Sequence, residues 1–197
     1  MKLLKAPIRK LINYLSKLLA APQMIYGYRS SDGTRLPRVR ISNTTAIISP
    51  RELKIADNVW IGHYCFIESS RGLQIDEGCQ ITNYVSILTH SSHRTIRLYG
   101  NHLFNRNNHK ELLGSVEGPI SIGKYTFIGP HTVIMPNSKI GKGVLIAAYS
   151  YVNGDVADFA IIAGNPAQVV GNTRKIDQKY LQQHPELEAY YAEWARD

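Results

Sequence analysis

Cysteine is nearly absent: only Cys65 and Cys79 occur in 197 residues. Two thiols cannot staple a disulfide scaffold, and these show no metal-ligand spacing, so a reducing, cytosolic compartment is the simpler setting. Charge is sparse too, at 19% of residues, and acids are the scarcer sign, with 15 Asp and Glu against 23 Lys and Arg and a formal net charge of +8. That surplus favours anionic partners: nucleic acid, an acidic membrane surface or a phosphate-bearing small molecule. No stretch reaches the roughly 18 consecutive apolar residues of a membrane-spanning helix. With 44% hydrophobic residues the chain has material for one domain with a proper core and is not disordered as a whole.

Residues 1–25 read as a basic amphipathic helix and linker. On a helix, Leu4, Ile8, Leu11, Ile12, Leu15, Leu18 and Leu19 share one face, and Lys2, Lys5, Arg9, Lys10 and Lys17 share the other. Arg9, Lys10 and Lys17 interrupt the apolar part, which argues against a signal peptide. Two readings stay open: a helix packed on the protein or a neighbouring subunit, or one lying on anionic lipid, a peripheral contact with the inner membrane surface.

What the chain has in abundance is a repeat. Seven consecutive hexads begin with Val116, Ile122, Ile128, Ile134, Ile140, Ile146 and Val152. Four residues into each come Ile120, Thr126, Thr132, Ser138, Val144, Ser150 and Val156, all small or β-branched. Gly123, Gly129 and Gly141 follow the aliphatic directly, which suggests glycine at the bends. A period of six fits neither a helix nor a flat sheet, and predicts a parallel β-solenoid of very short strands. Earlier, the stretches from Ile47 and Ile67 are copies 20 residues apart, with one eight-residue side and two of six. The offset runs Ile47, Ile55, Ile61, Ile67, Ile75, Ile81, Ile87, and the next place holds His93. Cys65 and Cys79 fall in the small inward slots. The 22 residues from Arg94 to Ser115 have no hexad register and form an excursion loop. The organisation is thus 1–25, a solenoid over 41–163 with its loop at 94–115, and a segment 164–197 in which Pro185 opens a helix.

The unbroken hexads, the run "IGKYTFIGPHTVIMPNSKIGKGVLIAAYSYV" and the closing "AGNPAQVV" resemble the hexapeptide-repeat acyltransferases over roughly residues 41 to 175. "HSSHRT" before a long loop is similar to the sugar and xenobiotic O-acetyltransferase branch. The resemblance implies an all-β, left-handed parallel β-helix with short terminal helices, acting as a homotrimer with acetyl-CoA as acyl donor and no metal. It implies a histidine general base just before the loop, which is His93, with His90 as competitor. It also implies cofactor contacts at Gly129, Ala147 and Ala148, with Arg174 and Lys175 for phosphates and Phe127 as a subunit-contact aromatic. Acceptor contacts fall to Glu68, Asn83, Tyr84, Asn101 and Asn105. The expected activity is O-acetylation of a sugar hydroxyl of a bacterial surface polysaccharide or its precursor.

Rivals remain at this point: a xenobiotic O-acetyltransferase, an amino-sugar N-acetyltransferase, or a non-catalytic solenoid scaffold. A solenoid of the zinc carbonic anhydrase type should carry paired histidines five apart, and none of the seven histidines here are. Basic residues are scattered rather than interleaved with aromatics, which counts against nucleic acid as partner.

Overall fold

The structure, a computed structural model, describes residues 7–8, 10–12, 14–15, 21–103 and 112–196. It is a β-solenoid of about six turns with a few short helices, coiled left-handedly. Each coil has three sides, and equivalent sides stack as parallel sheets that we call faces A, B and C. Ile41, Ile61, Ile81, Ile128, Ile146 and Ile162 are in register along face A. Ile47, Ile67, Ile87, Ile134 and Val152 follow one another along face B. Ile55, Ile75, Ile122 and Ile140 do so along face C, where Val156 adds a final bridge. These columns form one continuous buried core. Each fully buried isoleucine is worth about 1.5–3 kcal/mol of transfer free energy, so a column one residue wide can still hold the coils together.

Between the large aliphatics sit small inward residues, and their polar groups are used. Thr126 Oγ1 donates to the carbonyl of Gly141 at 2.8 Å, Ser138 Oγ to Met135 at 2.8 Å and Ser150 Oγ to Ala147 at 2.7 Å. Cys65 Sγ donates to Thr82 O at 2.9 Å and Cys79 Sγ to Gly123 O at 3.1 Å. Such bonds are obligatory where a turn carbonyl is sealed inside.

The left-handed bends are not where glycine was expected. Gly123, Gly129 and Gly141 do not have positive φ; the positive-φ corner residues include Tyr64, Tyr84, Tyr125, His131, Tyr149 and Phe159, at 54° to 61°. Bulky side chains in this region are strained. Here the rings stack along the corner between faces A and B: Tyr64 on Tyr84 at 5.2 Å, Tyr84 on His131 at 4.8 Å and His131 on Tyr149 at 4.7 Å. The three hexad glycines serve a different need, close approach of the next coil. A Cβ on Gly123 would lie 2.6 Å from Lys142 N, and one on Gly129 would lie 2.5 Å from Ala148 N.

At the start, an antiparallel hairpin of β1 (Met24–Arg29) and β2 (Arg35–Ser42) caps face A. At the end, Gln168–Asn172 folds back antiparallel on Ala160–Ala163. The C-terminal segment holds two helices rather than the one foreseen, α2 (Thr173–Gln183) and α3 (Glu188–Ala195), with Pro185 in a 3-10 turn between them. They pack on the corner between faces C and A, where Trp194 contacts Tyr125 and Phe159. Helical backbone is present at 7–8, 10–12 and 14–15, and the other residues of the N-terminal segment up to 20 lie outside those described.

Two outcomes follow. Burial pushes the Cys79 thiol up to about 12 and raises that of Cys65, so neither should react with a disulfide reagent at pH 8 until denaturant is added. Gly123→Val forces backbone apart between coils and should lower unfolding free energy in urea by about 1–3 kcal/mol.

Candidate active site at the neck of the excursion loop

The register of the third coil differs from the count made on sequence. In the two earlier coils the side after face B is eight residues long, and Leu53 pairs with Leu73 and Ile55 with Ile75. Carried on, that spacing would put His93 and Thr95 in the core columns. Instead Ile120 takes the place above Leu73 and Ile122 the place above Ile75. His93 is therefore not on the solenoid register but in the exposed excursion. Val116, read as the first hexad, also lies outside the coil. It pairs with Ser91, and Glu117 with His90, in a short antiparallel neck. The chain leaves and re-enters through this neck, and α1 (Thr95–Tyr99) begins the excursion.

Two residues foreseen separately meet at that neck. His90 Nδ1 lies 3.0 Å from Glu68 Oε2, one coil below; the carboxylate side chain is 4% exposed and the imidazole 48%. Glu68 is anchored by three further donors: Thr89 N at 2.9 Å, Thr89 Oγ1 at 2.5 Å and Ser70 N at 2.8 Å. Burial opposes its ionisation, but the hydrogen bonds from Ser70 and Thr89 outweigh that and hold its pKa down to about 2. A fixed carboxylate facing Nδ1 favours the tautomer with its proton there, which leaves Nε2 as the free acceptor. The neck itself is braced by Arg71 on Glu117, by Gly118 N donating to Thr89 O at 3.0 Å and by Asn137 Nδ2 donating to Glu117 O at 2.9 Å.

His93 is held differently. Its Nδ1 is 2.9 Å from the Ser91 hydroxyl, and its carbonyl accepts from Arg97 Nη1 at 2.6 Å. No carboxylate faces it among the described residues.

The remaining foreseen residues fall elsewhere. Gly129, Ala147 and Ala148 stack on one wall at the corner between faces A and B. Asn83 and Tyr84 share that corner, where Asn83 Oδ1 accepts from His63 N at 2.8 Å and Tyr84 joins the ring stack. Arg174 is engaged at the third corner: Nη2 donates to Ala195 O at 2.8 Å, and the guanidinium lies 3.9 Å over the Phe159 ring. Lys175 beside it is exposed, as is Asn101 in the excursion, while Asn105 lies outside the described residues. Phe127 faces outward on face A and is exposed. Ser70 and Thr89, which orient the carboxylate, were missed on sequence. The 20-residue offset pairs Ser70 with His90 and Ser69 with Thr89, and that offset was the available signal.

Comparison with known proteins agrees with this architecture. Residues 119–154 match the family described as bacterial transferase hexapeptide (six repeats). The putative lipopolysaccharide biosynthesis O-acetyl transferase WbbJ of Escherichia coli (strain K12) is 26% identical over 115 residues, 58% of each chain. The putative acetyltransferase SAR2635 of Staphylococcus aureus (strain MRSA252) is 42% identical over 62 residues, 32% of this chain and 30% of that one. This chain thus spans under a third of the length of the latter and little over half of the former. Among solved structures, AntD, an N-acyltransferase from Bacillus cereus in complex with dTDP and 3-hydroxybutyryl-CoA, superposes with a TM-score of 0.56 at 19% identity, covering 75% of this chain and 89% of AntD.

Glu68 gives the site a measurable acid signature. Its folded-state pKa lies below the ordinary 4.5, so its stabilisation is complete above pH 4.5 and is lost as pH falls through about 2. Glu68→Gln should cost about 3 kcal/mol in urea unfolding at pH 7, the scale of such a shift, with the gap to wild type closing as pH drops from 4.5 toward 2.

Residues 119–154 match the bacterial transferase hexapeptide family, and the chain has the left-handed β-helix fold of its structural neighbours.

Proposed function

We propose that this chain is an acetyl-CoA-dependent O-acetyltransferase acting on a sugar hydroxyl, of a surface polysaccharide or its precursor, in the cytoplasm. The observation that carries the reading is the buried Glu68 carboxylate 3.0 Å from Nδ1 of a half-exposed His90 at the neck of the excursion loop. The acetyltransferase names of the sequence relatives support the reaction class, and WbbJ's name supports a saccharide acceptor.

In this reading His90, rather than the first-favoured His93, is the general base. Its Nε2 takes the proton of the acceptor hydroxyl as that oxygen attacks the thioester carbonyl of acetyl-CoA. The tetrahedral intermediate collapses with loss of the CoA thiolate, which leaves protonated as the proton is passed on. Glu68 fixes the ring and stabilises the imidazolium that forms, as carboxylates do beside catalytic histidines. No acyl-enzyme is required, and rate comes from holding both substrates together. The acyl donor's pantetheine arm would run along the wall of Gly129, Ala147 and Ala148, where small side chains leave the backbone accessible. That wall lies one side of the triangle away from His90, so the two are brought together between copies in a homotrimer. Arg174, already committed to Ala195 and Phe159, is withdrawn as a phosphate contact, and Lys175 is left.

The experiment is release of free CoA from acetyl-CoA against a panel of sugars, amino sugars and polysaccharide fragments. His90→Ala should lose about 10²–10⁴-fold in kcat, the scale of a missing general base, and His93→Ala less than tenfold. The reverse order would return the base to His93. If wild type neither binds CoA nor releases it with any acceptor, the transferase reading fails.

A further inference from the structure

The basic residues are scattered along the chain, but the net charge is not. Residues 1–40 hold nine of the 23 Lys and Arg and one of the 15 Asp and Glu, so the whole formal surplus of +8 sits there and residues 41–197 are neutral. Among the described residues of that stretch, Lys10, Arg29, Arg35, Arg38 and Arg40 stand against Asp32 alone, so the hairpin end of the solenoid is cationic. In the described part of that end, Ile8, Leu11, Ile12 and Leu15 on the helix are all exposed. The hairpin that caps face A adds Ile25 and Tyr26, the latter 76% exposed. Tyr26 lies directly across from Arg40, and Arg29 across from Arg35. Cross-strand partners in an antiparallel pair share a face. Arg38 is spent on Asp57 and Glu77, whereas Arg35 and Arg40 have no ion-pair partner among the described residues.

We infer that this end is a docking surface for an anionic lipid bilayer, built from two elements, the amphipathic helix and the β1–β2 hairpin. Ile8, Leu11, Ile12 and Leu15 on one face of the helix, with Lys10 on the other by the helical repeat, match the acyl and headgroup layers of a membrane. A nucleic acid offers nothing for Ile8, Leu11, Ile12 and Leu15 to bury against. A second copy docked end to end on it would set like charge against like charge. No described helix is long and apolar enough to cross a membrane, so the contact is peripheral.

The surface also has a place relative to the site. Along face B the strand leading into His90 is the third, after Ala46–Ile48 and Phe66–Glu68. At about 4.8 Å per coil, His90 stands roughly 10 Å along the axis from the first coil. The base and its loop thus stand at the middle strand of the five along face B, roughly 10 Å from the docking end. On the transferase reading, on which this step alone rests, the acceptor is a glycan carried on a lipid at that same surface. Docking itself is independent of catalysis, so its test does not read activity.

The full-length protein is sedimented with vesicles of phosphatidylcholine, and with vesicles containing about 30% phosphatidylglycerol, at low and high salt. Wild type should bind the anionic vesicles at least tenfold better than the neutral ones, with most of the difference lost in 0.5 M NaCl. Leu11→Glu/Leu15→Glu and Arg35→Glu/Arg40→Glu, each checked for an unchanged thermal unfolding transition, should each lose at least tenfold. Equal binding to both vesicle types, or none, overturns the proposal. Loss only in the helix variant removes the hairpin and overturns the two-element surface. Tighter binding to duplex DNA than to anionic vesicles assigns the cationic end to nucleic acid instead.

Discussion

Everything in this molecule depends on stacking one coil on the next at the spacing of a parallel β-ladder. Each position sits directly over its counterpart, as with Ile61 on Ile81 and Ile81 on Ile128, so a choice made once must be repeated along the column. That constraint explains the inward slots. Beside the isoleucines of faces A and B the slot holds Cys, Val, Thr or Ser, whereas on face C Leu53, Leu73 and Ile120 stack in it. A hydroxyl in such a slot must find a turn carbonyl, as Thr126 and Ser150 do. It also explains the corners, where strained tyrosines and His131 are tolerated because each ring lies flat on the next at 4.7–5.2 Å.

The same stacking allows a carboxylate to be buried at the edge of an aliphatic core. Glu68 stands in register with Leu88, and the coil above supplies Thr89 with both its amide and its hydroxyl. A buried carboxylate with three donors is charged and rigid, and costs far less than one left unpaired. The excursion is launched one residue later. Because Ile120 and Ile122 return to the vacated columns, the core continues above and below as if no loop were present. The neck can therefore carry polar chemistry without weakening the solenoid.

The fold was largely legible in the sequence because a column of identical choices writes a period into the chain. Where the choice was not periodic, reading failed for identifiable reasons. The count from Ile87 to His93 assumed a six-residue side, although Ile47 to Ile55 and Ile67 to Ile75 show that this side has eight. Glu68 was noticed but given to the acceptor, because nothing local reveals that a residue 22 positions before His90 lies beneath it. Asn83 and Arg174 looked like free polar groups, yet each braces a turn or a helix end. The unforeseen C-terminal helix, Thr173–Gln183, has no side-chain hydrogen bond capping its start, which left little mark on the sequence.

A single chain presents its chemistry at three separate corners. The paired Glu68 and His90 mark the corner between faces B and C, the stacked Gly129 and Ala148 the corner between A and B, and the C-terminal helices occupy the third. A solenoid cannot fold its corners toward one another, since each side is a rigid strand in a ladder. Direct transfer between two bound substrates needs donor and acceptor atoms within about 3–3.5 Å. A donor lying on the glycine wall would therefore have to meet the histidine of another copy set alongside, with the two axes parallel. Parallel axes would turn every cationic end the same way. On that arrangement the assembly would meet an anionic bilayer with three helices and three hairpins at once, and three weak contacts would act as one strong one.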